Sequence, residues 1–204
     1  MKQTPIISKQ LACFQKIKQL FLVHPLRQSH QPLFHLANSD ATLNYPETHF
    51  DLVRPGIALY GYSGANHPGL KPVLSLKTSI TQYKEVPAKS KIGYGCSFIT
   101  QQTSRLAIIA IGYADGVNRL LSNQQDVLIA GQRAPMVGRI SMDQIVIDLT
   151  QTSIPGTPGT EVTLIGQTGA QSISARDWAQ KLQTIPYEVL TGLGTRLPRY
   201  LKTE

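Results

Sequence analysis

The feature that most constrains the fold of this chain is a change of hydrophobic rhythm near Pro72. Ahead of it, Leu11, Phe14, Ile17 and Phe21 recur at the spacing of one helix face. Beyond it, LSLKTSITQYKEV alternates apolar and polar residues, with Leu74, Leu76, Thr78 and Ile80 on one side. The runs RLAIIAIGY, DVLIA, QIVIDL and EVTLIG follow, each short, β-rich and bounded by Gly, Pro, Asn or Ser. The two rhythms need different packing layers. The chain therefore divides into a helix-containing part, 1–65, and a mostly β part, 72–204, joined through Gly64–Lys71.

Within the first part, Ser8 is placed to cap the opening helix. His24–His30, broken by Pro25, reads as a loop. Leu33–Leu36 (LFHL) is short and apolar, as a buried parallel strand is. Ser39 is expected to cap a short helix running to Asn44, which Pro46 stops. Asp51–Val53 reads as the next strand, carrying Arg54 and Gly56 at its C-terminal end. In the second part only Ser174–Leu182 breaks the β texture; Ser174 and Asp177 have capping-box spacing, with Trp178 and Leu182 as core contacts.

Composition narrows the function classes. A chain of 204 residues, 41% hydrophobic and 16% charged, is long enough to bury a core. Its net charge of +8 is unevenly spread: Lys2, Lys9, Lys16, Lys18 and Arg27 all precede the first acid, Asp40. The aromatic residues among these bases, Phe14 and Phe21, belong to the apolar stripe, and the bases read as the polar side of the helical pattern, so the stretch reads as a solvated face and not as a nucleic-acid site. Cys13 and Cys96 lack metal-ligand spacing and read as free thiols. No apolar run reaches the ~18 residues of a membrane span, and the polar start is unlike a signal peptide, so the expectation is a cytoplasmic protein without membrane or metal.

Two segments supply groups suited to a phosphorylated ligand. HLANSDATL (His35–Leu43) contributes the Ser39 hydroxyl, and RPGIALYG (Arg54–Gly61) contributes a guanidinium and the backbone N–H groups of Gly56 and Ile57. Further on come Gly93–Gly95 (GYG), Ile111–Gly116 (IGYADG), Gly138–Leu149 (GRISMDQIVIDL) and Tyr187–Val189 (YEV). This ordered set resembles the alanine racemases, pyridoxal phosphate enzymes of fold type III. The resemblance implies an α+β chain: a mostly β C-terminal domain preceded by an incomplete remnant of an (α/β)8 TIM barrel. Such a barrel takes ~250 residues, and nothing here matches the surroundings of the family's cofactor-bonding lysine. The chain thus resembles the C-terminal half of a racemase, which implies little or no activity and weak cofactor binding by itself.

The same resemblance implies roles. Ser39, Gly56, Ile57 and Tyr187 match the family's phosphate-binding groups; Arg54 matches the arginine facing the cofactor's pyridine nitrogen, and His35 the histidine behind it. Tyr94 matches the catalytic tyrosine, which in this family crosses a homodimer interface into the partner's site. Met142 matches the residue whose N–H holds the substrate carboxylate, while Tyr113 and Arg139 match residues along the substrate entrance. The implied reaction is the interconversion of L- and D-alanine, supplying cell-wall precursors. Plainer readings stand beside these: Ser39 as helix cap, Tyr187 in the core of a closing strand, Met142 in the core, Tyr94 on an exposed turn. A non-catalytic dimerisation module and a racemase of broader amino-acid specificity remain open alternatives.

Overall fold

In the computed structural model, which describes residues 5–25, 31–64 and 67–201, the chain separates into two units, Met1–Val73 and Leu74–Glu204. The second is organised around one long strand, β1 (Leu76–Val86). Its first half pairs with β8 (Glu161–Thr168) and its second with β4 (Ser104–Ile109), both antiparallel. Register shifts at Leu76/Lys77 and Ile80/Gln82 let one strand serve two neighbours by bending it. With β5 (Asp126–Ile129), β6 (Gln132–Pro135) and β7 (Ile145–Asp148), the strand order is β6-β5-β8-β1-β4-β7, and β9 (Gln171–Ile173) pairs with β8. A separate hairpin, β2 (Lys91–Ile92) and β3 (Phe98–Ile99), carries the Tyr94 turn.

The alternation expected along β1 is present at Leu76 and Ile80, which are buried, while Thr78 is half-buried and donates its hydroxyl to the Ala110 carbonyl at 3.0 Å. In β5 and β8 the alternation gives way: Val127–Ile129 and Val162–Ile165 are buried at every position. These strands are covered on both faces; the run is wholly apolar in β5, and in β8 it includes the buried Thr163, whose hydroxyl accepts from Thr168 at 3.2 Å.

The helix α3 (Ala175–Leu182) begins as its sequence requires. The Ser174 hydroxyl accepts from the Asp177 N–H at 3.2 Å, and the Ser174 N–H donates back to Asp177 Oδ2 at 2.6 Å. Trp178 is fully buried and Leu182 half-buried. The sequence reading missed a second helix, α4 (Pro186–Thr191). Pro186 sits in its first turn, where a fixed φ favours helix and no N–H is required. Six residues are too few to display a helical period. Tyr187 therefore lies on an exposed helix, not in the core of a strand.

The first unit departs further from expectation. The helix α1 (Pro5–Leu22) starts ahead of Ser8, which lies inside it. Phe14 and Phe21 pack against Phe34 and Phe50, with ring centroids 4.9–6.4 Å apart. Ile17, read as part of that stripe, is 57% exposed. Its place is taken by Lys18, whose Nζ lies 5.0 and 5.1 Å from the Phe34 and Phe50 rings. That is a cation–π arrangement on what was read as the polar face. Leu33–Leu36 and Asp51–Val53 are not strands. They share two backbone contacts, Asp51 N–H to Phe34 O and Arg54 N–H to Ala37 O, and a single parallel bridge at Asn38 and Arg54, while the Phe34 N–H donates to the Asp51 carboxylate at 2.7 Å. Parallel pairing is the weaker ladder and is normally buried on both faces, whereas Leu33 is exposed. The expected loop at His24–His30 lies outside the described residues from 26 onward.

Candidate functional site

The first cluster lies where α2 (Ser39–Asn44) meets the turn after Arg54. The sequence named the wrong cap for α2. Asn38, in extended conformation, accepts the Ala41 N–H at 3.0 Å, and Ser39 is the first helical residue. That shift frees the Ser39 hydroxyl. Only 3% exposed, Ser39 Oγ accepts from the Gly56 N–H at 2.9 Å and the Ala58 N–H at 3.3 Å. Ser39 and the Gly56–Ile57 turn are thus one hydrogen-bonded unit, and Ile57 is buried beneath it. A Cβ built at Gly56 meets no heavy atom within 4 Å, so this side of the turn is clear.

Arg54 stands beside that turn. Its backbone is fixed by the bond to Ala37 O, and its Nη2 donates to the Leu36 carbonyl at 3.1 Å. It makes no ion pair among the described residues, so its charge stays available to an anion or a ring nitrogen acceptor. His35 is exposed, and no hydrogen bond joins it to Arg54 among the described residues; the Leu36 carbonyl orients the guanidinium.

The second cluster, within the β unit, joins two pairs of sequence-predicted residues. Tyr94 is 73% exposed at the crest of its hairpin turn. It lies between Gly93 and Gly95, at φ 73° and 68°, a left-handed region where a Cβ is costly. The space is also spoken for: a Cβ at Gly93 falls 2.8 Å from Arg139 N, and one at Gly95 falls 2.9 Å from the Arg139 guanidinium. Arg139 is held by its neighbours, Gly138 N–H to Asn123 Oδ1 at 2.6 Å and Ile140 N–H to Ser122 Oγ at 3.0 Å.

Tyr113 and Met142 form the other pair. The Tyr113 and Ala114 N–H groups donate to the carbonyls of Ser141 and Met142 at 3.0 and 3.1 Å. Gly112 permits this approach, since a Cβ there falls 2.3 Å from both oxygens. Met142 is 51% exposed and so is not core. Asp115 is buried and closes its own turn by accepting the Gly112 N–H at 2.9 Å. Arg196 joins the cluster from the C-terminal segment, 2.6 Å from Asp143 and 3.5 Å from Asp115. The hydrogen bond to Asp143, then the charges of Asp115 and Asp143, raise its pKa above the ordinary arginine value.

Tyr187 is half-exposed on α4, where its carbonyl accepts from the Thr191 hydroxyl at 2.8 Å. Next to it in sequence, Glu188 and Val189 line a cavity of about 250 Å³ with Tyr113, Asn118, Trp178 and Thr184. Asn38, Ser122, Asn123 and Arg196 went unread in the sequence. Asn38 had a local signal, being a cap-forming residue beside another; the rest act across long sequence separations and had none.

Residues 73–201 match the family described as alanine racemase, C-terminal domain, and residues 2–64 match alanine racemase, N-terminal domain. Alanine racemases of Halothermothrix orenii and a Synechocystis species are each 46% identical, over 85% and 86% of this chain but 46% and 49% of their own length. The crystal structure of alanine racemase from D-cycloserine-producing Streptomyces lavendulae superposes with a TM-score of 0.85 at 39% identity, covering 100% of this chain and 54% of that one. The Bartonella henselae alanine racemase, solved with covalently bound pyridoxal phosphate, gives 0.82 at 36% identity, covering 97% and 52%. The chain spans about half the length of the curated relatives it matches. On matches extending through both of its units, the chain belongs to the alanine racemase family.

Proposed function

We propose that this chain is the C-terminal half of a pyridoxal phosphate-dependent alanine racemase. In this reading residues 1–65 are the closing units of the cofactor-binding barrel and 72–204 the C-terminal β domain. The supporting observation is the unit made by the Ser39 hydroxyl with the Gly56 and Ala58 N–H groups, beside Arg54, which donates to the Leu36 carbonyl and makes no ion pair among the described residues.

That unit fits the cofactor. The Ser39 hydroxyl and Ile57 N–H, with Tyr187, would hold the phosphate; Gly56, whose N–H is engaged by Ser39 Oγ until a phosphate competes for it, leaves the approach over the turn clear. Pyridoxal phosphate, when bound, supplies an electron sink that makes the Cα proton of an amino acid acidic. Arg54 would lie beside the pyridine nitrogen, where a guanidinium, unable to release a proton near neutral pH, leaves that nitrogen unprotonated. By keeping that nitrogen unprotonated, Arg54 would favour rapid return of the proton to Cα, and hence racemisation over transamination.

Tyr94 would hold and return the proton on one face of Cα. A phenol has a reference pKa of about 10, so it needs a cationic environment to act as a base. Its exposure suits a residue that serves another chain's site across a homodimer. Met142 N–H would bind the substrate carboxylate, with Tyr113 and Arg139 along the entrance. The cellular role is supply of D-alanine for the cell wall, in the cytoplasm. The proton on the other face of Cα requires a lysine, which the relatives' N-terminal half would supply.

Absorbance spectroscopy tests the reading. Mixed with pyridoxal phosphate and then freed of unbound cofactor by gel filtration, the chain alone should retain no stoichiometric visible band abolished by borohydride. The same chain associated with the N-terminal half of a relative should show one. A reducible band from the chain alone, or none from a verified assembly, would overturn the proposal.

A further inference from the structure

We infer that Arg196 is a positioning residue for the substrate carboxylate, acting through Met142 without touching the substrate. The inference rests on the reading of Met142 N–H as the carboxylate's donor.

Peptide planarity supplies the first step. In a trans peptide the N–H points opposite to the preceding C=O. The Ser141 carbonyl is directed at the Tyr113 N–H, so the Met142 N–H points away from the Tyr113 turn. The Ser141 N–H donates to Gln144 O at 3.0 Å, and Met142 O accepts from Ala114 N–H, which fixes both ends of the donor's segment. The presentation of Met142 N–H thus depends on how two turns, 112–116 and 141–143, are held together.

Arg196 holds them from their acidic side. Asp115 ends the first turn and Asp143 lies in the second, and one guanidinium contacts both. The segment bearing Arg196 is anchored in turn, with Gly194 N–H donating to Asp115 O at 2.9 Å and Arg199 Nη2 to Leu193 O at 3.1 Å. Removing the guanidinium leaves both carboxylates without the counter-charge they share, which loosens the link between the turns. It also leaves Asp143 un-neutralised beside a donor that must accept an anion. Arg196 therefore has a geometric and an electrostatic effect on one N–H group.

Two measurements separate these effects. On the chain alone, amide exchange at Tyr113 and Ala114 should quicken about fivefold in Arg196→Ala, the upper range for loss of an exposed ion pair, and less in Arg196→Lys. In the enzyme assembled with the relatives' N-terminal half, KM for alanine should rise about fivefold with kcat little changed, the pattern of lost uniform binding. Arg196→Ala combined with Asp143→Asn should recover most of the KM, because the repelling charge is gone; a merely structural arginine would not be rescued this way. Unchanged exchange in Arg196→Ala overturns the clamp. Faster exchange with unchanged KM, or failure of the double variant to recover, overturns the role in carboxylate binding. Absence of turnover in the wild-type assembly would instead count against the racemase reading, while the exchange comparison still decides whether Arg196 joins the two turns.

Discussion

At the scale of single residues, a one-position shift changes what Ser39 does. Asparagine and serine are both good caps, and local sequence does not rank two of them in a row. With Asn38 as cap, the Ser39 hydroxyl is released to the Gly56 turn seventeen residues away. The two residues should accordingly respond differently. Asn38→Ala should cost about 1 kcal/mol of stability, the usual loss of a cap. Ser39→Ala leaves the Gly56 and Ala58 N–H groups without their acceptor, at about 1–3 kcal/mol, and should also weaken cofactor binding in the assembled enzyme. Urea denaturation with a cofactor titration separates the two. Tyr94→Phe should leave stability unchanged, because its side chain is largely in solvent, yet reduce turnover of the assembled enzyme at least ~10²-fold.

At the scale of elements, legibility followed the range of the interactions involved. The cap of α3 was readable because both partners lie within four residues, and β1 because alternation survives where one face is covered. The helix α4 was too short to show a period. The strands read at Leu33–Leu36 and Asp51–Val53 were misjudged because a parallel strand is defined by its neighbours, which sequence composition does not reveal. Of the candidate site, the motifs named Tyr94, Tyr113, Arg139 and Met142, but the pairing of these residues in the structure depends on glycines that make room for a distant backbone. Gly112→Ala tests this. Its backbone is extended, so the cost is steric: the new methyl meets the Ser141 and Met142 oxygens. A loss of about 1–3 kcal/mol is expected, read as a lower melting temperature together with faster amide exchange at Tyr113 and Ala114.

At the scale of the molecule, the residues of the proposed site fall in both units. Ser39, Arg54, Gly56 and Ile57 belong to the first, and Tyr94, Tyr113, Arg139, Met142 and Tyr187 to the second. The change of hydrophobic rhythm near Pro72 lies beside the division of the chain into Met1–Val73 and Leu74–Glu204. How the motifs gather into a working site was not legible in the sequence, since in the proposed enzyme that depends on a second chain and on the half of the relatives' length not spanned here. The measurement that tests this account most directly is formation of D-alanine from L-alanine, with pyridoxal phosphate present, by the chain alone and by the chain associated with a relative's N-terminal half. The account predicts no racemisation by the chain alone, racemisation by the assembly, and its loss when the chain carries Tyr94→Phe. Racemisation by the chain alone, or a verified assembly that remains inactive or is indifferent to Tyr94→Phe, would contradict it.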